Sequence, residues 1–182
     1  MTKNQSIKYL AFLRGINVGG HHKVKMDDLK KIFVDLGFLN VKTVIASGNV
    51  YFESTESDAV LLRNHIEEAL LQTFSFAIPT IIRTQKEIQD LVISDPYKGK
   101  EVTKNTRLYI TFLGARHNSM LKAPYMAPAK DYEILQITDK EVVSILELNP
   151  EHKTLDSMNV LGQFGNNVTT RNWNTVMKMA AL

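Results

Sequence analysis

The residues of this chain that come nearest to a chemical site form a glycine-rich, basic turn between Leu13 and Lys23. An apolar run precedes the turn and a helical pattern follows it, so it marks the passage from a strand to a helix. Gly15, Gly19 and Gly20 permit positive φ angles and close approach of the backbone. Amide groups in such a turn can point into one concavity at the positive end of the helix, which suits an anion. The pattern therefore predicts an anion site.

Side chains in the same turn could complete that site. Arg14 can hold a phosphate or carboxylate with two hydrogen bonds, and Lys23 adds a second positive charge. Asn17 could orient the ligand, and His21 or His22 could transfer a proton near neutral pH. The alternative is a tight turn whose glycines avoid steric clash, with Arg14 paired to a nearby carboxylate and both histidines in solvent. No catalytic residue is assigned, and whether the protein is an enzyme stays open.

Two later stretches supply further candidates. Asn49 ends the short turn that begins at Ser47, and its amide could face the ligand, although both side chains could equally close the turn. Arg171 and Asn172 lie where a late strand meets the last helix, a location that favours anions. Their alternative roles are an ion pair and a helix cap. If the two halves of the chain pack together, Arg14 and Arg171 could converge on one ligand.

Several other classes of site are not expected. The glycines match neither a P-loop nor a dinucleotide fingerprint, so no cofactor is predicted. Ser47 lies in no Gly-x-Ser-x-Gly elbow, and Trp173 begins an apolar helical stripe that is typical of a core. The chain has no cysteine and its five histidines show no ligand spacing, so no metal is predicted.

Composition indicates a soluble globular protein of the cytoplasm. The 182 residues are 44% hydrophobic and carry a formal charge of +3 without any polybasic run. That charge is only weak support for nucleic acid as a partner. The N-terminus is polar, and the apolar run from Tyr9 to Leu13 is too short for a signal peptide or a membrane span, so no membrane partner is expected.

The first half of the chain predicts strand, helix, strand, strand, helix, strand and helix. Residues 7–13 read as a buried strand, and apolar residues at helical spacing run from Met26 to Leu36. Val41 to Ala46 and Val50 to Glu53 read as a hairpin. Thr55 to Asp58 reads as an acidic capping box before a helix, and Thr84 to Glu87 as a regular one after the strand from Ala77 to Arg83.

The second half can be read in the same order. Its predicted elements are a strand from Arg107 to Leu113, a short helix near Asn118 to Lys122, a hairpin over 132–146, a helix opened by Asn149 and Pro150, a strand over 167–171 and a closing helix. The predicted class is therefore α+β, with two related ferredoxin-like βαββαβ halves, each followed by a helix, packed into one compact unit. A polar stretch from Lys98 to Asn105 separates domains 1–98 and 99–182.

Three stretches of the chain form a recognisable set, namely 12–20 (FLRGINVGG), 47–52 (SGNVYF) and 169–176 (TTRNWNTV). Together they resemble an uncharacterised bacterial family, domain of unknown function 1697. The resemblance extends through essentially the whole chain and implies an α+β fold of two similar subdomains. It implies no established activity.

Three functions follow as hypotheses. The first is a site for a small phosphorylated ligand at the glycine-rich turn, completed by Asn49, Arg171 and Asn172. The second is a nucleic-acid-binding module that uses scattered lysines and arginines and stacks bases on sheet aromatics, namely Tyr9, Phe12, Tyr51 and Phe52, although the basic motif of RNA-recognition modules is missing. The third is a protein-interaction module without a small ligand.

Overall fold

The computed structural model describes residues 6–19, 22–44, 48–148 and 154–182, with the side chains of 154 and 155 excepted. The chain divides into two compact units. The first comprises Met1–Asp90 with Lys178–Leu182, and the second comprises Leu91–Met177. The described residues form a mixed α+β structure with two antiparallel sheets and five helices.

The first unit holds a four-stranded sheet in the order β2-β3-β1-β4, with every neighbouring pair antiparallel. Its elements are β1 (Ile7–Leu13), α1 (Met26–Asp35), β2 (Leu39–Val44), β3 (Asn49–Ser54), α2 (Ala59–Phe74), β4 (Thr80–Thr84) and most of α3 (Gln85–Ile93), which from Leu91 onward belongs to the second unit. The predicted element order is confirmed here, although β4 begins three residues later than the β-branched pattern indicates.

One face of this sheet forms a core with α1 and α2. Tyr9, Ala11 and Leu13 alternate along β1 and point to that face, as the period of two requires. The helices contribute residues three or four apart, namely Leu29, Ile32 and Phe33 from α1 with Leu62, Ile66 and Leu70 from α2. Burial of each such side chain contributes about 1.5–3 kcal/mol. Leu10 and Phe12, on the other face of β1, are also fully buried.

The caps of α2 and α3 test the two predicted capping boxes. Thr84 N donates to Glu87 Oε2 at 2.7 Å and Glu87 N donates to Thr84 Oγ1 at 3.2 Å, so the box before α3 is confirmed. The prediction of a capping box from Thr55 to Asp58 is wrong. The N-cap of α2 is Asp58, whose Oδ1 accepts a hydrogen bond from Val60 N at 2.8 Å. Asp58 accepts from a backbone amide two residues ahead, as an N-cap does, and this moves the helix start three residues on.

The second unit holds a five-stranded antiparallel sheet in the order β6-β7-β8-β5-β9. Its elements are β5 (Thr106–Leu113), β6 (Tyr125–Met126), β7 (Tyr132–Ile137), β8 (Glu141–Glu147), a 3-10 helix (Thr154–Phe164), β9 (Val168–Asn172) and the first part of α4 (Trp173–Ala180), which from Lys178 onward belongs to the first unit. The 3-10 helix replaces the predicted α-helix, and the predicted cap at Asn149 and Pro150 lies outside the described residues.

The short helix expected near Asn118 to Lys122 is wrong, because that segment is irregular chain that leads into β6. The Ser119 hydroxyl accepts a hydrogen bond from Leu121 N at 3.1 Å, a local turn that competes with helix formation. Pro124 follows closely, and a proline disfavours helical conformation in the residue before it. The weak helical pattern is thus overridden by local turn chemistry.

Candidate functional site

The glycine-rich turn is attached to the sheet at the end of β1. Leu13 N donates to Gly48 O at 2.8 Å, and Arg14 N donates to Pro79 O at 2.9 Å. Ile16 then returns to the core and is fully buried. The turn is therefore held on both sides of Arg14.

Asn17 closes the turn from inside. Its side-chain Nδ2 donates to Val24 O and its Oδ1 accepts from Val24 N, both at 2.9 Å, while Asn17 N donates to His22 O at 3.1 Å. The φ of Asn17 is +56°, in the left-handed region that asparagine tolerates better than most residues. The Asn17 amide thus acts on the loop itself, as a positioning group.

The exposed part of the turn carries the positive charge. Arg14 and Lys23 are exposed, as are Gly15 and Gly19, whose φ angles are +73° and +62°. Gly20 lies outside the described residues. The amides of Arg14 and Asn17 already donate within the protein, so they are not available to a ligand.

His22 is fixed beside the turn. Its ring stacks on Phe76 with centroids 4.3 Å apart, and its Nδ1 lies 3.3 Å from Gly15 O. Sequence spacing gives no sign of the Phe76 contact, because 54 positions separate the two residues. His21 lies outside the described residues, and His22 is the predicted proton carrier that the structure places.

Asn49 lies at the base of the turn. It is fully buried at the first position of β3, and its Nδ2 donates to Val44 O at 3.0 Å. This bond matches the alternative in which Asn49 closes the turn between β2 and β3. Ser47, the other polar residue of that turn, lies outside the described residues.

Arg171 and Asn172 lie in the second unit, at the junction of β9 and α4. Arg171 is buried, and its Nη1 donates to Thr169 Oγ1 at 2.6 Å and to Thr170 O at 3.0 Å. Burial lowers the pKa of Arg171 to about 10. Asn172 Oδ1 accepts from Asn174 N at 2.9 Å, which is a helix-capping bond. The convergence of Arg171 with Arg14 stays a prediction, since they belong to different units.

A matching junction lies in the first unit, between β4 and α3. Arg83 Nη1 donates to the carbonyl of Ile82 at 2.9 Å, as Arg171 does to the carbonyl of Thr170. Arg83 pairs with Leu10 of β1, and Arg171 pairs with Ile110 of β5. The arginine at each strand-to-helix junction therefore has the same local geometry in both units.

The sheet aromatics are buried. Tyr9 and Phe52 belong to the core under the helices and stack with centroids 5.4 Å apart. Tyr51 is also buried, and its hydroxyl donates to Glu53 Oε1 at 2.7 Å. Burial, and then this hydrogen bond, raise the pKa of Tyr51 to about 12. These side chains present no open surface on which bases could stack.

The described residues also bear on metal binding and on membrane-spanning helices. In the described ranges, no group of three or more histidine, aspartate or glutamate residues is arranged to hold a metal ion. None of the helices in that part of the chain is long and apolar enough to cross a bilayer.

The protein belongs to the α+β class and has two antiparallel sheets. A basic turn, held by the hydrogen bonds between Asn17 and Val24, follows the first strand. The sequence profile of the family described as Protein of unknown function (DUF1697) matches residues 7–159. The chain belongs to that family.

One solved structure is similar to this protein at the level of the fold. A conserved bacterial protein, SP0830 from Streptococcus pneumoniae, aligns with a TM-score of 0.72 and 22% identity over 97% of this chain and 98% of that one. An unknown protein from Galdieria sulphuraria aligns with a TM-score of 0.29 and 10% identity over 92% and 98% of the two chains, too low to support an argument. No protein of curated function matches the sequence.

Proposed function

We propose that the glycine-rich turn of the first unit binds a small anionic ligand, with a phosphorylated metabolite as the expected class. The observation that carries this proposal is the bracing of the turn. Asn17 holds Val24 through two bonds of 2.9 Å, while Arg14 and Lys23 remain exposed. A loop that is ordered before binding loses less entropy when a ligand arrives, so its affinity is higher.

The proposed site residues divide into two groups. Arg14 and Lys23 supply positive charge, and the exposed backbone of Gly15 and Gly19 approaches the ligand, with Gly20, which lies outside the described residues, as a further proposed contact. Asn17 and Asn49 act as positioning residues, because their amides bond to Val24 and Val44. In a catalytic version, His22 exchanges a proton with the bound phosphate.

Arg171 and Asn172 form a second, separate part of the proposal. If they reach the same ligand, substitution at Arg171 should weaken binding as substitution at Arg14 does. Because Arg171 is buried and bonded to Thr169, Arg171→Lys is the gentler change: it keeps a cation and removes the planar fork.

Thermal-shift screening of the full chain against phosphorylated metabolites tests the proposal, since a ligand that binds only the folded state raises its apparent stability. For any compound that raises the melting temperature, we expect Arg14→Ala to weaken binding by at least tenfold in calorimetric titration. Lys30→Ala, which removes an exposed lysine of α1 outside the turn, is the matched control and should leave affinity within twofold.

The same screen separates the alternatives. A panel without any response, or an affinity that Arg14→Ala leaves unchanged, contradicts the anion site and favours a protein-interaction module. Binding of RNA or DNA whose affinity falls steeply with salt would favour the nucleic-acid hypothesis. Burial of Tyr9 and Tyr51 speaks against that outcome.

We also propose that the two units derive from one ferredoxin-like βαββαβ unit by duplication, with the domain boundary at residue 98. Two pairs of bonds support this idea. Leu13 N to Gly48 O and Leu113 N to Lys140 O are both 2.8 Å, while Arg14 N to Pro79 O and Gly114 N to Asn167 O are 2.9 and 2.8 Å. The strands β7-β8-β5-β9 follow the same connection order as β2-β3-β1-β4.

A further inference from the structure

A small pocket in the second unit lies away from every residue considered so far. It has a volume of about 120 Å³ and is bounded by β7 and the segment before it, by β8, by the edge strand β6 and by the segment before β5. Its wall combines apolar and charged side chains: Met126, Tyr132, Ile145, Lys100, Lys130, Glu101, Asp131, Glu133 and Glu147.

Asp131 is the unusual member of this wall. Only 6% of the residue is exposed, and its Oδ1 is buried without a hydrogen-bond partner in the part of the chain that the structure describes. Its backbone carbonyl accepts from Glu147 N at 2.7 Å, which ties the residue to β8. A buried carboxylate oxygen without a donor is costly, so a partner that supplies one stabilises the folded protein.

The charges around Asp131 leave an excess of carboxylate. The wall holds four carboxylates and two lysines, a formal balance of −2. Lys100 Nζ is already engaged, because it lies 2.9 Å from both oxygens of Glu133. Among the described residues, no lysine, arginine or histidine nitrogen lies within 4.0 Å of the carboxylates of Glu101, Asp131 or Glu147.

We propose that this pocket, hereafter the Asp131 pocket, binds the primary ammonium group of a short alkylamine. An ammonium group carries one positive charge and three donors, so it can satisfy the orphaned oxygen of Asp131. Met126 and Ile145 offer an apolar wall to a short alkyl chain. A pocket of about 120 Å³ is several times the space of roughly 10–15 Å³ that one water molecule needs, so it has room for a short alkyl chain. A metal ion is the poorer occupant, because the described acidic residues form no ligand group for one.

Calorimetric titration of the full-length protein with n-propylammonium chloride tests this inference. That ion has four non-hydrogen atoms and three N–H donors. Tetramethylammonium chloride, with the same charge and no N–H donor, and sodium chloride at equal ionic strength are the comparison salts. We expect saturable binding of propylammonium alone.

Substitutions at Asp131 and at a control position test whether propylammonium binds in the Asp131 pocket. Asp131→Asn should weaken propylammonium binding by at least tenfold, because it removes the negative charge from the buried group. Asp139→Asn is the matched control: Asp139 is exposed in the turn between β7 and β8, outside the pocket, and its substitution should change affinity less than twofold.

A second variant covers the case in which Asp131→Asn does not fold. Met126→Trp keeps the carboxylate and fills the pocket from the half-exposed edge strand, so it should abolish propylammonium binding while circular dichroism remains that of the parent. The proposal is overturned if propylammonium does not saturate, if tetramethylammonium binds equally well, or if either variant folds and retains the parent affinity.

Discussion

Individual residues of the basic turn show how the backbone there is forced into one conformation. Gly15, Asn17, Gly19 and His22 all have positive φ angles, which residues other than glycine and asparagine seldom adopt. Ile16, between two of them, is buried. The buried Ile16 and the residues with positive φ angles therefore belong to the same turn, and burial of Ile16 in the core orders the loop.

Gly48 lies directly beside the buried Ile16 side chain. A Cβ at this position would lie 2.7 Å from Ile16 Cδ1, and its φ is +77°. We expect Gly48→Ala to lower the free energy of unfolding by about 2–4 kcal/mol, through overpacking added to backbone strain. Urea denaturation of the purified variant measures the change.

The control for Gly48→Ala is Gly37→Ala. Gly37 has a φ of +84°, but a Cβ there would meet nothing within 4 Å. This variant carries the backbone cost alone, about 1 kcal/mol. Equal losses for the two variants would mean that the contact with Ile16 does not constrain the turn.

Among the elements, α4 shows the amphipathic pattern most sharply. It runs from Trp173 to Ala180 after the Asn172 cap, and its buried residues Trp173, Val176, Met179 and Ala180 recur at helical spacing. Met177, four residues after Trp173, lies at the edge of this stripe and is exposed. The last helix is therefore positioned by a stripe of apolar contacts, and its cap fixes where it begins.

Two methionines of α4 give a matched test of that stripe. Met179 is 0% exposed and Met177 is 38% exposed. Met179→Ala should lower the free energy of unfolding by about 2–5 kcal/mol, whereas Met177→Ala should change it by less than about 1 kcal/mol. Denaturant titration measures both, and a Met177→Ala loss as large as that of Met179→Ala would contradict the assigned face.

On the scale of the whole molecule, the two units share a register as well as a strand order. Tyr9 to Leu13 pairs with β3 and β4 as Tyr109 to Leu113 pairs with β8 and β9, so that Leu10 faces Tyr51 and Arg83 while Ile110 faces Val143 and Arg171. The interiors differ, since Phe52 in the first unit corresponds by register to Ser144 in the second. At this position the interior of the second unit is therefore polar, where that of the first is aromatic.

Buried tyrosines make the second unit sensitive to alkaline pH. Burial raises the pKa of Tyr132 to about 12, against a smaller opposing effect of the Ser144 hydroxyl, and it raises the pKa of Tyr97 still further. A phenol with a raised pKa in the folded state contributes its stability fully below pH 10, and this is lost as pH rises toward the folded value. We expect the free energy of unfolding to fall above pH 10 by about 1.4 kcal/mol per pH unit for each such tyrosine.

Fluorescence of Trp173, the one tryptophan of the chain, follows this loss because the residue lies in the second unit. Urea titrations at pH 8, 10, 11 and 12 give the pH dependence. Tyr132→Phe should reduce the slope above pH 10 and change stability little at pH 8. An unchanged slope in that variant would show that Tyr132 titrates alike in the folded and unfolded protein.

Much of this protein follows from local sequence. Apolar runs predict β1, periodic apolar residues predict α1, and Thr84 with Glu87 predicts the start of α3, because each signal depends on residues that are neighbours in the chain. The alternative roles of Asn49 and Asn172, closing a turn and capping a helix, could also be read from their immediate context.

Only the tertiary structure decided the rest. It joins Asn17 to Val24, stacks His22 on Phe76, and places Asp131 at a pocket beside β8, with no donor to its Oδ1 among the described residues. It also replaces the expected helix near Asn118 with irregular chain. These features depend on contacts between distant residues or on local turns that compete with weak helical patterns. Periodicity and spacing determine the elements, and packing between them determines which polar groups remain available to a ligand.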